Sequence, residues 1–240
     1  MDSPLQDILR LLAASASAGM TTKALDAQAE LLCSLHDVRP AFKGYTAPGH
    51  KTPFPCALCV SVNSEVIHGI PGDYVIQEGD VVKLDMGIEK DGEFDDGALT
   101  VLIGTVDEEG KLRGPSASAR KLVRATAEAL EAGCAVAKAG KTTHDIARAI
   151  EAVAKKYDVH VVHGYGGHGI GNAIHLAPSI PNEIETGSKP EVLKAGMRIA
   201  VEPMFATASS GFTHVASDTW TVKLRNGGLA AHFERTVEIH

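Results

Sequence analysis

Three acidic side chains lie inside largely apolar stretches of the sequence, and a fourth borders such a stretch. Asp85 interrupts VVKLDMG, Glu202 interrupts MRIAVEPMF, Glu234 interrupts LAAHFERTVEI, and Asp96 precedes GALTVLIG. A carboxylate in an apolar strand persists only if it is protonated, paired or bound to a metal. Each one alone could be an ion pair or an edge position, and Arg235 is a ready partner for Glu234. Four of them together favour a metal site.

A predicted hairpin over residues 81–104 determines how two of these carboxylates meet. Asp91-Gly92 is typical of a two-residue turn. That turn places residue 85 opposite residue 98, with Asp96 on the same face one step along; a turn shifted by one residue places 85 opposite 96. In either register Asp85 and Asp96 lie within ~5–8 Å on one face, and Asp95 points to the other.

The stretch GYGGHGIGNAIH (164–175) supplies two histidines, His168 and His175, among five glycines. Its G-x-G-x-x-G match is weak, because Pro178 and Pro181 follow where a nucleotide-binding motif needs a helix. A glycine-rich structural loop with incidental histidines is the ordinary alternative.

The charges of these groups balance in a two-metal site. Two divalent cations would cancel the four carboxylates, and an imidazole adds a neutral ligand. Carboxylates that bridge fit a pair of ions ~3.5–4 Å apart. Oxygen-rich ligation favours manganese, ferrous iron or cobalt over thiolate-type zinc chemistry.

The four cysteines do not form a disulfide framework in a chain of 240 residues. Cys56 and Cys59 form one C-x-x-C, which could be a redox pair or half of a zinc site, but there is no second pair to complete that site. We expect reduced, partly buried thiols at the start of a strand, in a cytoplasmic protein.

The elements that must position these residues follow from periodicity. Helices are predicted over 3–16, 22–36, 116–138 and 143–157. Strands are predicted over 57–63, 81–89, 94–103, 158–163, 197–207, 213–223 and 229–239. Strands in runs and helices in pairs predict an α+β fold.

Two segments of the chain resemble each other at an offset of 121 residues: AGMTTKALDAQAELL (18–32) and AGKTTHDIARAIEAV (139–153). Each has a small residue, glycine and two threonines before a predicted helix. We expect Thr22 and Thr143 to be N-caps, with Asp26 and Asp145 near the positive helix ends. The offset suggests two similar halves packed as one domain.

Composition limits the partners. The net charge of −7 argues against nucleic acid or an anionic membrane surface. No apolar run approaches the ~18 residues of a membrane span. Acidic residues and Arg10 in the first segment predict a helix there, not a secretion signal. We expect a single domain over 1–240.

The ordered motifs NSEVIHGIP (63–71), LDMG…DD, GHGIG, VEPM and WTVKLRNGGLAAHFERT (220–236) resemble the pita-bread metallopeptidases. The resemblance runs from about residue 18 to 240 and is closest to the initiator methionine aminopeptidases. It implies an α+β pita-bread fold: two pseudo-symmetric halves with an antiparallel sheet and outer helices. The short Glu202–Glu234 interval leaves no room for the type II insertion, so the chain looks like type I, without an N-terminal zinc-binding extension.

The resemblance implies a role for each motif residue. Asp85 would bind one of two divalent ions (Co, Mn or Fe, with Zn as a further candidate), His168 and Glu202 the other, and Asp96 and Glu234 both. A metal-bridged hydroxide would attack the first peptide bond, with Glu202 passing the proton to the leaving amine.

The resemblance also implies contacts with substrate. His175 would steady the oxyanion and His68 would contact the scissile amide. The substrate-binding residues would be Phe54, Cys59, His68, Ile174, His175 and Trp220, and all of these except His175 would surround the methionine side chain. The implied substrates are nascent polypeptide N-termini with a small second residue, met at the ribosome by a monomeric cytoplasmic enzyme that binds neither nucleic acid nor membrane.

The sequence departs from the family pattern at four places, which puts rate and specificity in question. Gly87 and Gly97 stand where hydroxyl residues are frequent, Leu176 where Glu is usual, and Arg235 where His is usual. A related Xaa-Pro peptidase remains an alternative, although that group usually carries a large extra N-terminal domain. A pita-bread binding protein without catalysis is the other, although such proteins usually lose metal ligands.

Overall fold

Serine and threonine caps begin all four helices of the described residues, which are 3–107, 109–110 and 113–240 of a computed structural model of the protein. The helices are α1 (Pro4–Ser15), α2 (Thr22–Leu35), α3 (Ala117–Val136) and α4 (Thr143–Tyr157). In each, the N-cap side chain accepts a backbone N–H of the first turn. All four predicted helices are therefore confirmed. Two caps were assigned one residue too late, because Thr21 and Thr142 cap α2 and α4.

The strands are shorter and more numerous than predicted. They are β1 (Arg39–Pro40), β2 (Cys59–Val62), β3 (Glu65–Ile67), β4 (Val81–Lys90), β5 (Glu93–Leu102), β6 (His160–Val161), β7 (Gly166–Gly169), β8 (Leu176–Pro181), β9 (Arg198–Val201), β10 (Met204–Ala206), β11 (Thr213–Val215), β12 (Val222–Leu224), β13 (Ala230–His232) and β14 (Glu234–Glu238).

Three segments that were each predicted to be one strand contain two strands in the structure. Segment 197–207 is β9 and β10, separated at Pro203, which has no N–H to continue a ladder. Segment 213–223 is β11 and β12, with a turn between them, and segment 229–239 is β13 and β14, separated at Phe233. Strand β7 lies in the glycine-rich stretch 164–175, where no strand was predicted, and β1, β3 and β8 were not predicted either.

The main sheet has the order β1-β4-β5-β14-β9-β7-β8, with β2 also paired to β4, and every pair is antiparallel. One core packs α1 and α2 against β2 and β4, and a second core packs α3 and α4 with side chains of β9. Each half therefore buries one apolar face of the sheet under its own helix pair. None of the helices in the described part of the chain is long and apolar enough to cross a bilayer.

The predicted similarity of the halves is visible in their hydrogen bonds. In the first half, Gly19 N donates to Ile76 O (2.9 Å) and Ile76 N donates to Met20 O (2.8 Å). In the second half, Gly140 N donates to Leu193 O (2.9 Å) and Leu193 N to Lys141 O (2.8 Å). The same local bonds thus anchor α2 and α4. Together with the mixed architecture, they support the α+β fold of two halves.

Candidate active site

One row of paired residues across the sheet brings carboxylates from both halves together. Asp85 pairs with Cys59 on one side and with Ala98 on the other, and Ala98 pairs with Glu234. Residues directly opposite one another project from the same face of a sheet. Asp96, two residues before Ala98, projects from that face as well. The predicted two-residue turn, the register of 85 opposite 98 and the shared face are confirmed.

The remaining candidate ligands reach this face from β7 and from the end of β9. Arg235 pairs with Val201, so that Glu202 lies beside Glu234 where Pro203 interrupts the ladder. His168 Nε2 lies 3.6 Å from Glu202 Oε1 and 3.8 Å from Asp96 Oδ2.

The ligand atoms form three groups that could each hold an ion. These are Asp85–Asp96–Glu234, His168–Glu202–Glu234 and Asp96–His168–His175. Asp96, Glu234 and His168 each belong to two of the groups. Of these, Asp96 and Glu234 each have two carboxylate oxygens, so that either could serve two neighbouring ions.

The electrostatics of the carboxylates fit bound cations. Burial raises the pKa of Asp85 to about 7, and burial with the neighbouring carboxylates raises the pKa of Asp96, Glu202 and Glu234 well above the usual range. Glu234 Oε1 is buried with no hydrogen-bond partner. Arg235 does not neutralise Glu234, because its guanidinium pairs with Glu131. Divalent cations would compensate this concentration of charge.

The glycines around His168 are required by the close approach of the neighbouring strands. A Cβ on Gly167 would lie 2.0 Å from Ala200 O, and a Cβ on Gly169 would lie 2.1 Å from Ala177 O. The glycines are needed because β7 lies between β8 and β9, where their carbonyls approach too closely for any side chain.

Three neutral histidines surround the candidate ligands. Burial lowers the pKa of His168, and it lowers the pKa of His68 and of His175 to about 4. Part of the His175 surface remains exposed at the cavity, although neighbouring groups desolvate its ring, and its Nδ1 lies 2.8 Å from the Tyr45 hydroxyl. The rings of His168 and His175 lie edge to face with centroids 4.4 Å apart. Each neutral ring therefore has one N–H donor and one acceptor nitrogen.

A cavity of about 350 Å³ opens beside this cluster, and it is lined by Phe42, Tyr45, Ala47, Pro48, Phe54, Cys59, His68, Asp85, Asp96, His168, His175, Glu202, Trp220 and Glu234. Its apolar end is formed by Phe54, Cys59 and Trp220, with the Phe54 and Trp220 rings 5.3 Å apart. All predicted site residues except Ile174 line it.

Ile174 does not line the cavity. It is buried with Ala41 and Ile170, behind Phe42. Gly87 explains this packing, because a Cβ there would lie 2.7 Å from Ile174 Cδ1 and 2.8 Å from Phe42 Cε1. Phe42 lines the cavity and packs against Ile174.

Sequence reasoning missed Phe42, Tyr45 and His232. His232 is buried, and its Nε2 lies 3.7 Å from Glu202 Oε2. A signal was present, because strand alternation places a residue two before Glu234 on the same face. Phe42 and Tyr45 lie in an irregular segment that has no such periodicity.

Comparison with known proteins assigns the chain to a family. The sequence model of metallopeptidase family M24 matches residues 5–240. The chain belongs to metallopeptidase family M24. A relative in that family, the methionine aminopeptidase of Aquifex aeolicus, is 40% identical over 235 residues, which cover 97% of this chain and 87% of the relative. Methionine aminopeptidase 1 of Bacillus subtilis is 36% identical over 92% of this chain and 82% of its own length.

Structures of M24 proteins agree with this assignment. The methionine aminopeptidase of Rickettsia prowazekii superposes with a TM-score of 0.87 at 30% identity, covering 98% of this chain and 89% of that protein. This confirms the pita-bread fold. The prolidase of Pyrococcus furiosus, with a TM-score of 0.71 at 22% identity over 58% of its own chain, shares the fold.

Proposed function

We propose that the chain is a metal-dependent aminopeptidase that removes methionine from the N-terminus of a polypeptide whose second residue is small. The observation that carries this proposal is the cavity in which the apolar Phe54–Cys59–Trp220 end adjoins the carboxylates. An unbranched thioether suits such an apolar pocket, and the bond to be cut then lies at the charged end. The M24 relatives named methionine aminopeptidases support the same activity.

The metal roles proposed for the residues follow their grouping. Asp85 would hold one ion, His168 and Glu202 would hold the other, and Asp96 and Glu234 would contribute to both. The oxygen-rich donor set favours Co, Mn or Fe, with Zn as a further candidate. Two bound divalent ions would polarise the first peptide carbonyl and lower the pKa of water to about 7.

Glu202 is the group we propose for proton transfer. Its carboxylate is buried and lines the cavity, and burial, then Asp96 and Asp85, raise its pKa well above the usual range, which is the direction that favours proton uptake. The leaving amine of the second residue receives that proton.

His175 and His68 are proposed to bind the reacting peptide bond. With the Tyr45 hydroxyl donating to Nδ1, the neutral His175 ring carries its proton on Nε2 and can donate it to charge that develops on the carbonyl oxygen. His68, in the left-handed region at φ 57°, presents its ring beside Trp220, with centroids 6.1 Å apart. Because it lines the same cavity as the carboxylates and lies beside Trp220, it is suited to contact with the scissile amide.

The natural substrates in this proposal are nascent polypeptide N-termini. Action at the ribosome, a monomeric state and a cytoplasmic location remain predictions.

A peptide panel with added Mn²⁺, Fe²⁺ or Co²⁺ tests the proposal against the Xaa-Pro and non-catalytic alternatives. We expect turnover of Met-Ala-Ser peptides and little turnover of Xaa-Pro dipeptides, with Asp96→Asn as the inactive control. Equal or better turnover of Xaa-Pro substrates would contradict the methionine pocket. No turnover of any peptide with any of the three metals would favour a binding protein.

A further inference from the structure

The two β-ladders that carry the carboxylates have the same register relative to equivalent anchoring bonds. At the base of the β4–β5 ladder, Gly79 N donates to Ile103 O (2.8 Å). At the base of the ladder formed by β9–β10 and β14–β13, Gly196 N donates to Ile239 O (2.8 Å). Positions counted from these bonds can therefore be compared between the halves.

Counting residues from these bonds shows that His232 is the counterpart of Asp96, a proposed metal ligand. Asp85 and Glu202 each lie six residues after the anchoring glycine, and Asp96 and His232 each lie seven residues before the anchoring isoleucine. The pairing continues through the interruption in the second ladder, where Met204 pairs with His232 as Gly87 pairs with Asp96 in the first. His232 thus occupies in the second half the place that Asp96 occupies in the first.

The ring of His232 faces the candidate ligands without a partner of its own. The residue is 1% exposed, and both ring nitrogens lack a hydrogen bond. Nε2 lies 3.7 Å from Glu202 Oε2 and 3.9 Å from Glu234 Oε2. These separations exceed a hydrogen bond, and a carboxylate movement of about 1 Å would close either one.

The backbone of His232 is held by Thr100. The Thr100 hydroxyl donates to His232 O (2.6 Å) and accepts from His232 N (3.0 Å). An imidazole ring has an N–H that can donate to a carboxylate oxygen. His232 is not among the residues that line the cavity. It is placed to act on carboxylates and not on the peptide.

We propose that His232 is a positioning residue of the metal centre, whose Nε2–H orients the Glu202 and Glu234 carboxylates for the ions they are proposed to bind. This inference rests on the proposed function, because it assumes that both carboxylates are ligands. Partners behind metal ligands fix their orientation and affect affinity for the ion, commonly by about 10–100-fold. The single ring of His232 would orient two proposed ligands, Glu202 and Glu234.

Substitutions that imitate each ring nitrogen separately test this role. His232→Gln places an amide nitrogen near the position of Nε2, His232→Asn places one near Nδ1, and His232→Leu removes both. The metal-free protein and each variant are titrated with Co²⁺ by calorimetry, and the visible spectra of the Co²⁺ forms are recorded. We expect His232→Leu and His232→Asn to bind Co²⁺ about 10–100-fold more weakly and His232→Gln to stay within about threefold of the original protein.

The outcomes separate this inference from the proposed function. Unchanged Co²⁺ affinity in His232→Leu overturns the inference. It is also overturned if His232→Asn keeps the original Co²⁺ affinity and His232→Gln loses it. A Co²⁺ spectrum altered in His232→Gln would make His232 a ligand and overturn the positioning role. If His232→Leu does not fold, the difference in Co²⁺ affinity between His232→Gln and His232→Asn tests the inference by itself. If the original protein binds no Co²⁺, the proposed metal centre itself fails.

Discussion

The two β-ladders that meet at the candidate metal centre share a register but differ in continuity. Ladder β4–β5 runs through ten successive pairs, from Val81–Leu102 to Lys90–Glu93, and is closed by the Asp91-Gly92 turn. The other ladder pairs β14 with β9, is interrupted at Pro203 and Phe233, and resumes as β10–β13.

The interruption changes how the carboxylates are held. Asp85 and Asp96 project from regular strands of one hairpin. Glu202 lies at the break, where its carbonyl accepts a hydrogen bond from Asn182 Nδ2 (2.9 Å) instead of a ladder N–H. One half therefore holds its ligands through local pairing, and the other depends on residues from distant segments.

The largest effect is expected from removing one proposed bridging carboxylate in each half. Asp96→Asn and Glu234→Gln should both lose metal and lower activity by more than about 100-fold, because each bridge is assigned to two ions. Elemental analysis of the purified variants, with peptidase assays on the same samples, measures both effects. Full metal occupancy in one of the two variants would show that the carboxylate replaced in it does not bridge the ions, so that only the other half supplies a bridging ligand.

The two histidines of the second half should separate metal binding from catalysis. His168→Ala removes a proposed ligand, so we expect its affinity for metal to fall sharply. His175→Ala should keep its metal and lose about 10²–10³ in kcat with a smaller change in KM, because it removes one donor to developing charge. Metal titration and steady-state kinetics on both variants check this. Loss of metal in His175→Ala with retention in His168→Ala would reverse the assignment, and full activity in both would make the stretch structural.

The smallest effect is expected at the helix caps, which also differ between the halves. Thr142 and Asp145 form a capping box: Thr142 N donates to Asp145 Oδ2 (2.8 Å), and Asp145 N donates to Thr142 Oγ1 (3.2 Å). In α2 the equivalent of Asp145 is Ala24, and Thr21 acts alone. We expect Thr142→Ala to lower the free energy of unfolding by about 1 kcal/mol and Thr21→Ala by about half of that.

The pH dependence distinguishes these two caps. Hydrogen bonds from Thr142, first from its side chain, lower the pKa of Asp145 in the folded protein. The stabilisation is present above the ordinary Asp pKa of about 3.9 and is lost as the pH falls through the lower folded value. The difference between Thr142→Ala and the original protein, measured by urea unfolding, should therefore shrink at acid pH. The difference for Thr21→Ala should not, and equal behaviour of both would argue against the capping box.

The sequence by itself determined the local features of this protein. The four helices followed from apolar spacing, and the Asp91-Gly92 turn placed Asp85 and Asp96 on one face. Turn chemistry and side-chain alternation act within a few residues, so a short window contains the information. The ordered motifs predicted the family and the ligand candidates of the second half.

Only the tertiary structure decided which distant segments meet. Strand β7 consists of glycines apart from His168. It fits between β8 and β9 because the carbonyls of those strands leave no room for other side chains. The partner of Arg235 is Glu131 and not the adjacent Glu234, and Tyr45 reaches His175 across 130 residues of chain. Such contacts depend on the sheet order and on the packing of two halves, which no local pattern encodes.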